Sequence, residues 1–251
     1  MFDRVYVKLT AKNRMRGYMG NAILVSLLAA LLGGELAVGG FRFRVDLDIS
    51  DLPDRLAALS EPGSCLAGGV FSAVIAAAGL LAALYAVFVG NVVQLGARGW
   101  YLRYARGEYP SAAELFAPFR AYYLSNAGTM LVVRLYIALW SLLLVIPGIV
   151  KGYAYSMTPY ILYENPTLSA GQAIRLSSRL TDGSKMALFV FDLSYFGWLL
   201  LSGFTAGILG VVYVNPYMST AHAGIYDALK AEAIRSGRMT WEDFGQAAPL
   251  F

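Results

Sequence analysis

Histidine and cysteine are almost absent, with one of each in the chain, His222 and Cys65. A lone cysteine cannot close an intramolecular disulfide, and one Cys with one His cannot build the tetrahedral N/S set that holds zinc. No metal is expected. Nucleotide chemistry lacks its cradle, because no G-x-x-x-x-G-K-[ST] loop occurs, and neither H-E-x-x-H nor G-x-S-x-G appears. Ser184 and Lys185 come nearest to a nucleophile beside a base, but adjacent helical residues do not face each other. The chain therefore reads as a non-enzyme with no cofactor.

Charge is the other scarcity. Only 14% of the 251 residues are charged while 58% are hydrophobic, and the mean hydropathy is +0.56. A soluble domain needs charge to cover its surface, whereas here the charges fall in short stretches between long apolar runs, the pattern of repeated bilayer crossing. The net charge is +4, yet no Lys/Arg cluster is interleaved with aromatics on a polar domain, which excludes nucleic acid as a partner. The lipid bilayer is the expected surroundings. Arg4, Lys8, Lys12, Arg14 and Arg16 precede the first apolar run much as in a secretion signal, but no A-x-A cleavage site follows, so a retained first span is expected.

Apolar runs at 18–38, 66–94, 125–146, 149–163, 186–202 and 204–229 are the candidate crossings of a hydrocarbon core about 30 Å thick. The fourth is short, and Ile146-Pro147-Gly148 before it either kinks one long helix or turns the chain back. Charge decides between these. With six spans and both termini inside, the inner segments carry 5, 4, 3 and 3 Lys/Arg, 15 of the 20, as the positive-inside rule requires. A five-span chain would split the positive charge about evenly. The expected fold is an all-α membrane protein, a single six-span helical bundle over 1–251 with cytoplasmic termini.

Residues 40–65 form the main external segment, and Asp46, Asp48, Asp51, Asp54 and Glu61 make it acidic. Its D-x-D-x-x-D order lacks the Gly turn and closing Glu of a calcium loop, so a solvated loop is expected. Trp100, Tyr101, Tyr104, Tyr122 and Tyr123 flank spans in the manner of interfacial anchors. Between spans four and five, Asn165 is placed to cap a helix over 165–181 that begins at Pro166 and ends at Asp182-Gly183. Leu168, Ala173, Leu176 and Leu180 gather on one side of it, and Gln172, Arg175 and Arg179 on another. That suits a helix lying on the membrane, with Arg175 and Arg179 meeting anionic lipid or a protein partner, or else a plain connector.

LWSLLLVIPGIVKGYAYSMTPYIL (Leu139 to Leu162), ENPTLSAGQAIRLSSRL (Glu164 to Leu180), DLSYFGW (Asp192 to Trp198) and NPY (Asn215 to Tyr217) resemble the bacterial integral membrane family known as domain of unknown function 975. The resemblance implies a bacterial membrane location. It carries over no catalytic residue, because that family has no established activity.

The third-and-fourth and fifth-and-sixth spans can be laid over each other. RLYIALWSLLL (Arg134 to Leu144) corresponds to DLSYFGWLLLS (Asp192 to Ser202), and TPY (Thr158 to Tyr160) to NPY. This describes a parallel repeat of two hairpins, an arrangement known among transporters, with chance similarity of a biased alphabet as the alternative. The overlay sets Arg134 against Asp192 at depths of roughly 13 and 9 Å by helical rise. An unpaired ion in hydrocarbon costs about 2.5–3.5 kcal/mol or more, so an intramembrane Arg134–Asp192 pair is expected, with snorkelling of Arg134 and a local bond of Asp192 as the alternative. Pro159 and Pro216 should bend the two returning helices, with Thr158 and Asn215 partly satisfying the opened backbone. Gly203-x-x-x-Gly207 and Ala86-x-x-x-Gly90 suggest close helix contacts.

With one ion pair and no evident polar chain through the bilayer, the sequence favours a non-enzymatic organising or interaction protein, partnered by lipid, by another membrane protein or by its own copies. A small-solute or lipid transporter built on the paired hairpins is the alternative.

Overall fold

The computed structural model describes residues 3–15, 17, 19–33, 35–38, 41–44, 65–205 and 207–245. The acidic segment containing Asp46, Asp48, Asp51, Asp54 and Glu61 lies outside them. Helix dominates, because apolar runs with few turn residues satisfy their backbone internally. In order come α1 (Arg4–Met15), α2 (Met19–Gly33), an antiparallel hairpin of β1 (Glu35–Val38) and β2 (Phe41–Arg44), α3 (Cys65–Tyr85), α4 (Asn91–Ala105), α5 (Tyr123–Leu143), α6 (Val145–Tyr155), α7 (Thr158–Glu164), α8 (Ala170–Leu180), α9 (Lys185–Leu193), α10 (Phe196–Phe204) and α11 (Asn215–Arg235). A π-helical turn, Ala86–Gly90, joins α3 to α4, and a second, Gly210–Val214, leads into α11.

Three helices among the described residues are long and apolar enough to cross a membrane: 73–105, α5, and α9 with α10 over 185–204. Helices α1 and α2 pass the same test as a pair bent by 102°. Exposed Leu131, Leu135, Leu139, Leu142, Phe196, Leu200 and Phe204 coat α5 and α10, which suits contact with acyl chains rather than water.

Several boundaries differ from expectation. The helix of the second run does not stop at 94 but continues to Ala105, and Trp100, Tyr101 and Tyr104 are buried in the protein core instead of anchoring at an interface. Their polar tips are satisfied there: Trp100 Nε1 donates to the Ser111 carbonyl at 3.1 Å, Tyr101 to that of Ala22 at 2.9 Å and Tyr104 to that of Arg14 at 3.0 Å. Aromatics at a span end read alike whether lipid or protein covers them. The first run ends as helix at Gly33, where β1 follows.

At Leu144 the chain reverses, and among the described residues α5 and α6 make the most extensive helix contact. Pro147 and Gly148 therefore serve a turn, not a kink in one helix. Proline falls in the first turn of α6, where its missing N–H would have had no intrahelical partner. A side chain on Gly148 would meet the Ser141 Cα at 2.7 Å, so glycine lets the two arms close. The returning run breaks at 156–157 into α6 and α7, and Pro159 opens α7. Pro216 likewise opens α11, directly after the π turn. Gly207 is a turn residue with φ of +83°, and nothing lies within 4 Å of a Cβ built on Gly203, so among the described residues that glycine pair makes no helix contact.

Helix α8 begins at Ala170, not Pro166, because Ser169 and Gln172 form a reciprocal capping box. Asn165 instead binds the Thr167 N–H at 3.2 Å in a local turn. The apolar face of α8 packs on α5, α6 and α7 through Ala173, Ile174, Leu176 and Leu180, while Arg175 and Arg179 are exposed. Protein, rather than lipid, covers that face.

The main core lies where α4 meets α7 and α11, with α1 and α2 packed on the same cluster. Glycine permits this crowding: a Cβ on Gly96 would stand 1.8 Å from the Leu115 carbonyl oxygen. Backbone cannot swing aside as a side-chain tip can, so Gly96→Ala is expected to cost about 1–3 kcal/mol, read as a lower midpoint of thermal unfolding in detergent.

Candidate functional site

A cleft of about 330 Å³ opens between the two hairpins, walled by α4, α5, α6, α9 and α11. Its polar groups come from five separate stretches: Arg98, Arg134, Tyr153, Asp192 and His222, with Ser141, Ser156 and Ser219 beside them. Met130, Val133, Ile137, Ile149, Phe189 and Met218 supply the apolar remainder. Both Arg134 and Asp192, singled out in the sequence, line this one space. So does Pro159.

Asp192 is 6% exposed and its carboxylate is held from two sides. His222 Nε2 stands 2.7 Å from Oδ1, and the Tyr153 hydroxyl donates to Oδ2 at 3.0 Å. The Phe191 ring meets the imidazole edge-on at 5.5 Å. Arg98 donates to the Tyr160 hydroxyl at 3.3 Å, and Tyr160 stacks on Tyr226 at 5.3 Å. Sequence reasoning weighed His222 only as a metal ligand and passed over Tyr153 and Arg98. Polar residues in separate apolar runs were the available signal, but their convergence depends on how the hairpins pack. Among the described residues, no three His, Cys, Asp or Glu side chains gather into a possible metal site.

Thr158 and Asn215 do not play the part expected of them. Among the described residues, Thr158 Oγ1 and Asn215 Oδ1 are buried without a hydrogen-bond partner, as are both side-chain polar atoms of Asn91 and Nε2 of Gln94. Asn91 and Asn215 each open a helix immediately after a π turn, and such turns recur at functional sites. Polar groups thus occur in the interior at more levels than the apolar runs suggested.

A second cluster binds α4, α7 and α11 together. Glu164, with its side chain 8% exposed, accepts from Lys230 at 2.5 Å, Tyr226 at 2.7 Å and Arg106 at 2.5 Å. Arg106 also pairs with Asp227 at 2.6 Å. Burial pushes the Glu164 carboxyl up, but the bonds from Lys230, Tyr226 and Arg106 together outweigh it and hold the group below its ordinary range. Lys230, whose side chain is 6% exposed, also lies 4.8 Å from the Phe244 ring centre. Sequence reading counted Lys230 among inner-face charges, whereas the fold makes it a buried tie. Arg179 on the exposed face of α8 reaches Asp243 at 3.6 Å.

No curated protein and no solved structure matches the chain. One family does: residues 73–233 match the family described as "Protein of unknown function (DUF975)". That stretch is more than half of the chain and holds every residue named in the cleft, together with Arg106, Glu164, Tyr226, Asp227 and Lys230 of the second cluster. The chain therefore belongs to the DUF975 family.

Proposed function

We propose that this protein is a multi-pass, non-enzymatic protein of a bacterial cytoplasmic membrane that takes a small amphiphilic molecule into the cleft between its two hairpins and acts as its carrier. The observation that carries the reading is the cleft itself, with polar groups and apolar walls in one space of about 330 Å³. Ligand sites commonly run from roughly 300 to 1,000 Å³ and combine apolar lining with a few convergent polar groups. Six crossings with both termini inside remain the topology that keeps 15 of 20 Lys/Arg on one face. In it α6 and α7 share the fourth crossing, since α6 alone has 11 residues, about 16 Å by helical rise. The paired hairpins support movement as well as binding, because proline opens the returning helix in each, at Pro159 and Pro216, and such interruptions mark transporter sites.

An organising role has one observation in its favour, the exposed Arg175 and Arg179 on α8, available to anionic lipid or to a membrane partner. Gly152 separates the readings. It lines the cleft, and nothing lies within 4 Å of a Cβ built there. Gly152→Phe should fill the space without disturbing its neighbours. In zwitterionic nanodiscs, with empty discs subtracted, this variant is expected to lose octanol and octyl phosphate binding at least tenfold at an unchanged melting temperature. Proteoliposome uptake of octyl phosphate should fall with it. Binding and uptake equal to those of the unaltered protein would leave the organising role standing.

A further inference from the structure

We infer that the seam where α4 packs on α11 takes in water and carries a proton to the Asp192–His222 pair, so that the amphiphile in the cleft moves together with a proton. This rests on the reading of the cleft as a carrier site and adds the ion to which the carrier is coupled.

The two helices run in the same sense and in register. Arg98 of α4 and His222 of α11 line one cleft, while Arg106 and Lys230 meet on Glu164. Asn91 and Asn215, each opening its helix directly after a π turn, are separated by the same number of residues as those two pairs. They therefore share one level. On α4, Asn91, Gln94, Arg98 and Tyr101 fall on one face at spacings of three and four, and on α11 Asn215, Ser219, His222, Tyr226 and Lys230 do the same. From Asn91 to Arg106 the rise is about 22 Å, most of a hydrocarbon core about 30 Å thick.

Polar contacts run along this column. At one end Glu164 accepts from Tyr226, Lys230 and Arg106, and Tyr226 stacks on Tyr160, whose hydroxyl takes a bond from Arg98. In the middle His222 Nε2 stands 2.7 Å from the Asp192 carboxylate. At the other end both polar atoms of the Asn91 side chain, Nε2 of Gln94 and Oδ1 of Asn215 are buried with no partner among the described residues. Water is the ordinary partner of such atoms inside a protein. Chains of Asp, Glu and His within membrane segments are the usual material of proton relays.

Six other ionisable side chains surround the Asp192–His222 pair: Lys8 from α1, Arg98 from α4, Arg134 from α5, Tyr153 from α6, Tyr160 from α7 and Tyr195 just after α9. Lysine, arginine and tyrosine ordinarily keep one charge state between about pH 5 and 8, whereas histidine titrates there. With His222 neutral the pair carries one negative charge, and with His222 protonated it carries none. An occupant that drives water from the cleft penalises net charge on the pair, so it draws a proton in. Binding is therefore tighter at low pH, and that gain is lost as pH rises through the titration of the histidine.

The first test uses octanol, which does not titrate, on the full chain in zwitterionic nanodiscs. Calorimetry at about pH 6.5 in phosphate and in ACES, buffers with different heats of protonation, should report uptake of about half a proton per octanol, the share of sites that histidine ordinarily has open at that pH. Affinity should be at least threefold tighter at pH 5.5 than at pH 8. His222→Gln should abolish both effects. The second test follows octyl sulfate, whose charge is fixed across this range, into proteoliposomes with protein-free liposomes subtracted. An inward proton gradient should raise its uptake at least threefold, and Asn91→Leu should remove that rise. Leucine has a similar volume and leaves no buried amide, so the melting temperature of this variant should not fall.

Octanol bound with equal heats in the two buffers and at one affinity across pH would overturn proton coupling while sparing the cleft as a site. Proton uptake that persists in His222→Gln would overturn the assignment to the pair, and a gradient effect that persists in Asn91→Leu would overturn the seam as the route. If octanol does not bind at any pH, the cleft reading falls and this one with it.

Discussion

Lys230→Met is expected to destabilise the protein by about 3–5 kcal/mol, seen as a large fall in the denaturation midpoint in detergent. Lys230 and Glu164 are both nearly excluded from water, and the substitution would leave the carboxylate to Tyr226 and Arg106 among the described residues. The loss measures an ion left buried without its partner, not the net worth of the pair. Lys185→Met is the control. Lys185 pairs at 3.1 Å with Asp182, which is 76% exposed, and such surface pairs contribute about 0–1 kcal/mol.

Acid should expose the same dependence. The folded Glu164 carboxyl titrates below the ordinary value of 4.5, so folding is stabilised by its ionised form. That contribution is complete above the unfolded value and is lost as pH falls through the lower folded value. Lys230→Met removes one of the bonds that depress the folded value, so its stability should decline less between neutral pH and acid than that of the unaltered protein. A parallel decline in both would show that Glu164 does not set the acid limb.

Asp192→Asn is the second change with a large expected effect, about 3 kcal/mol or more. It removes the one carboxylate among the described lining residues from a cleft that also holds Arg98, Arg134 and His222. A double-mutant cycle with His222→Gln should give a coupling of about 1–3 kcal/mol, because the two side chains share a 2.7 Å contact. Exchanging the charges through Arg134→Asp with Asp192→Arg should not restore stability, since His222 and Tyr153 would then face a guanidinium in place of the carboxylate they now hold. Additive effects in the cycle, together with full recovery in the exchange, would move the main partnership of Asp192 from His222 to Arg134.

The hairpin pair illustrates what a linear reading can reach. The overlay of Arg134 on Asp192 and of TPY on NPY placed the two charged residues at similar depth, and the structure puts both in one cleft. It could not find His222 and Tyr153 as the groups on Asp192, because Tyr153 and His222 lie 39 and 30 residues away and meet it through packing. The capping box at Ser169 was available in S-A-G-Q but was masked by Asn165-Pro166, an equally good start signal. Trp100, Tyr101 and Tyr104 were misplaced for a different reason: lipid and protein interior are both apolar, and composition does not separate them.

By itself the sequence determined that this chain is helical, that apolar stretches long enough for a bilayer alternate with charge, and that it belongs with the DUF975 proteins. Those properties are local, set by the order of apolar and polar residues within about twenty positions. Only the tertiary structure decided which helix faces meet protein and which are left open, that the fourth run breaks at 156–157, and that Arg98, Arg134, Tyr153, Asp192 and His222 share one cleft. Hydrocarbon and protein core present the same apolar surface to a side chain, so the choice between them is made by the packing of helices distant in sequence.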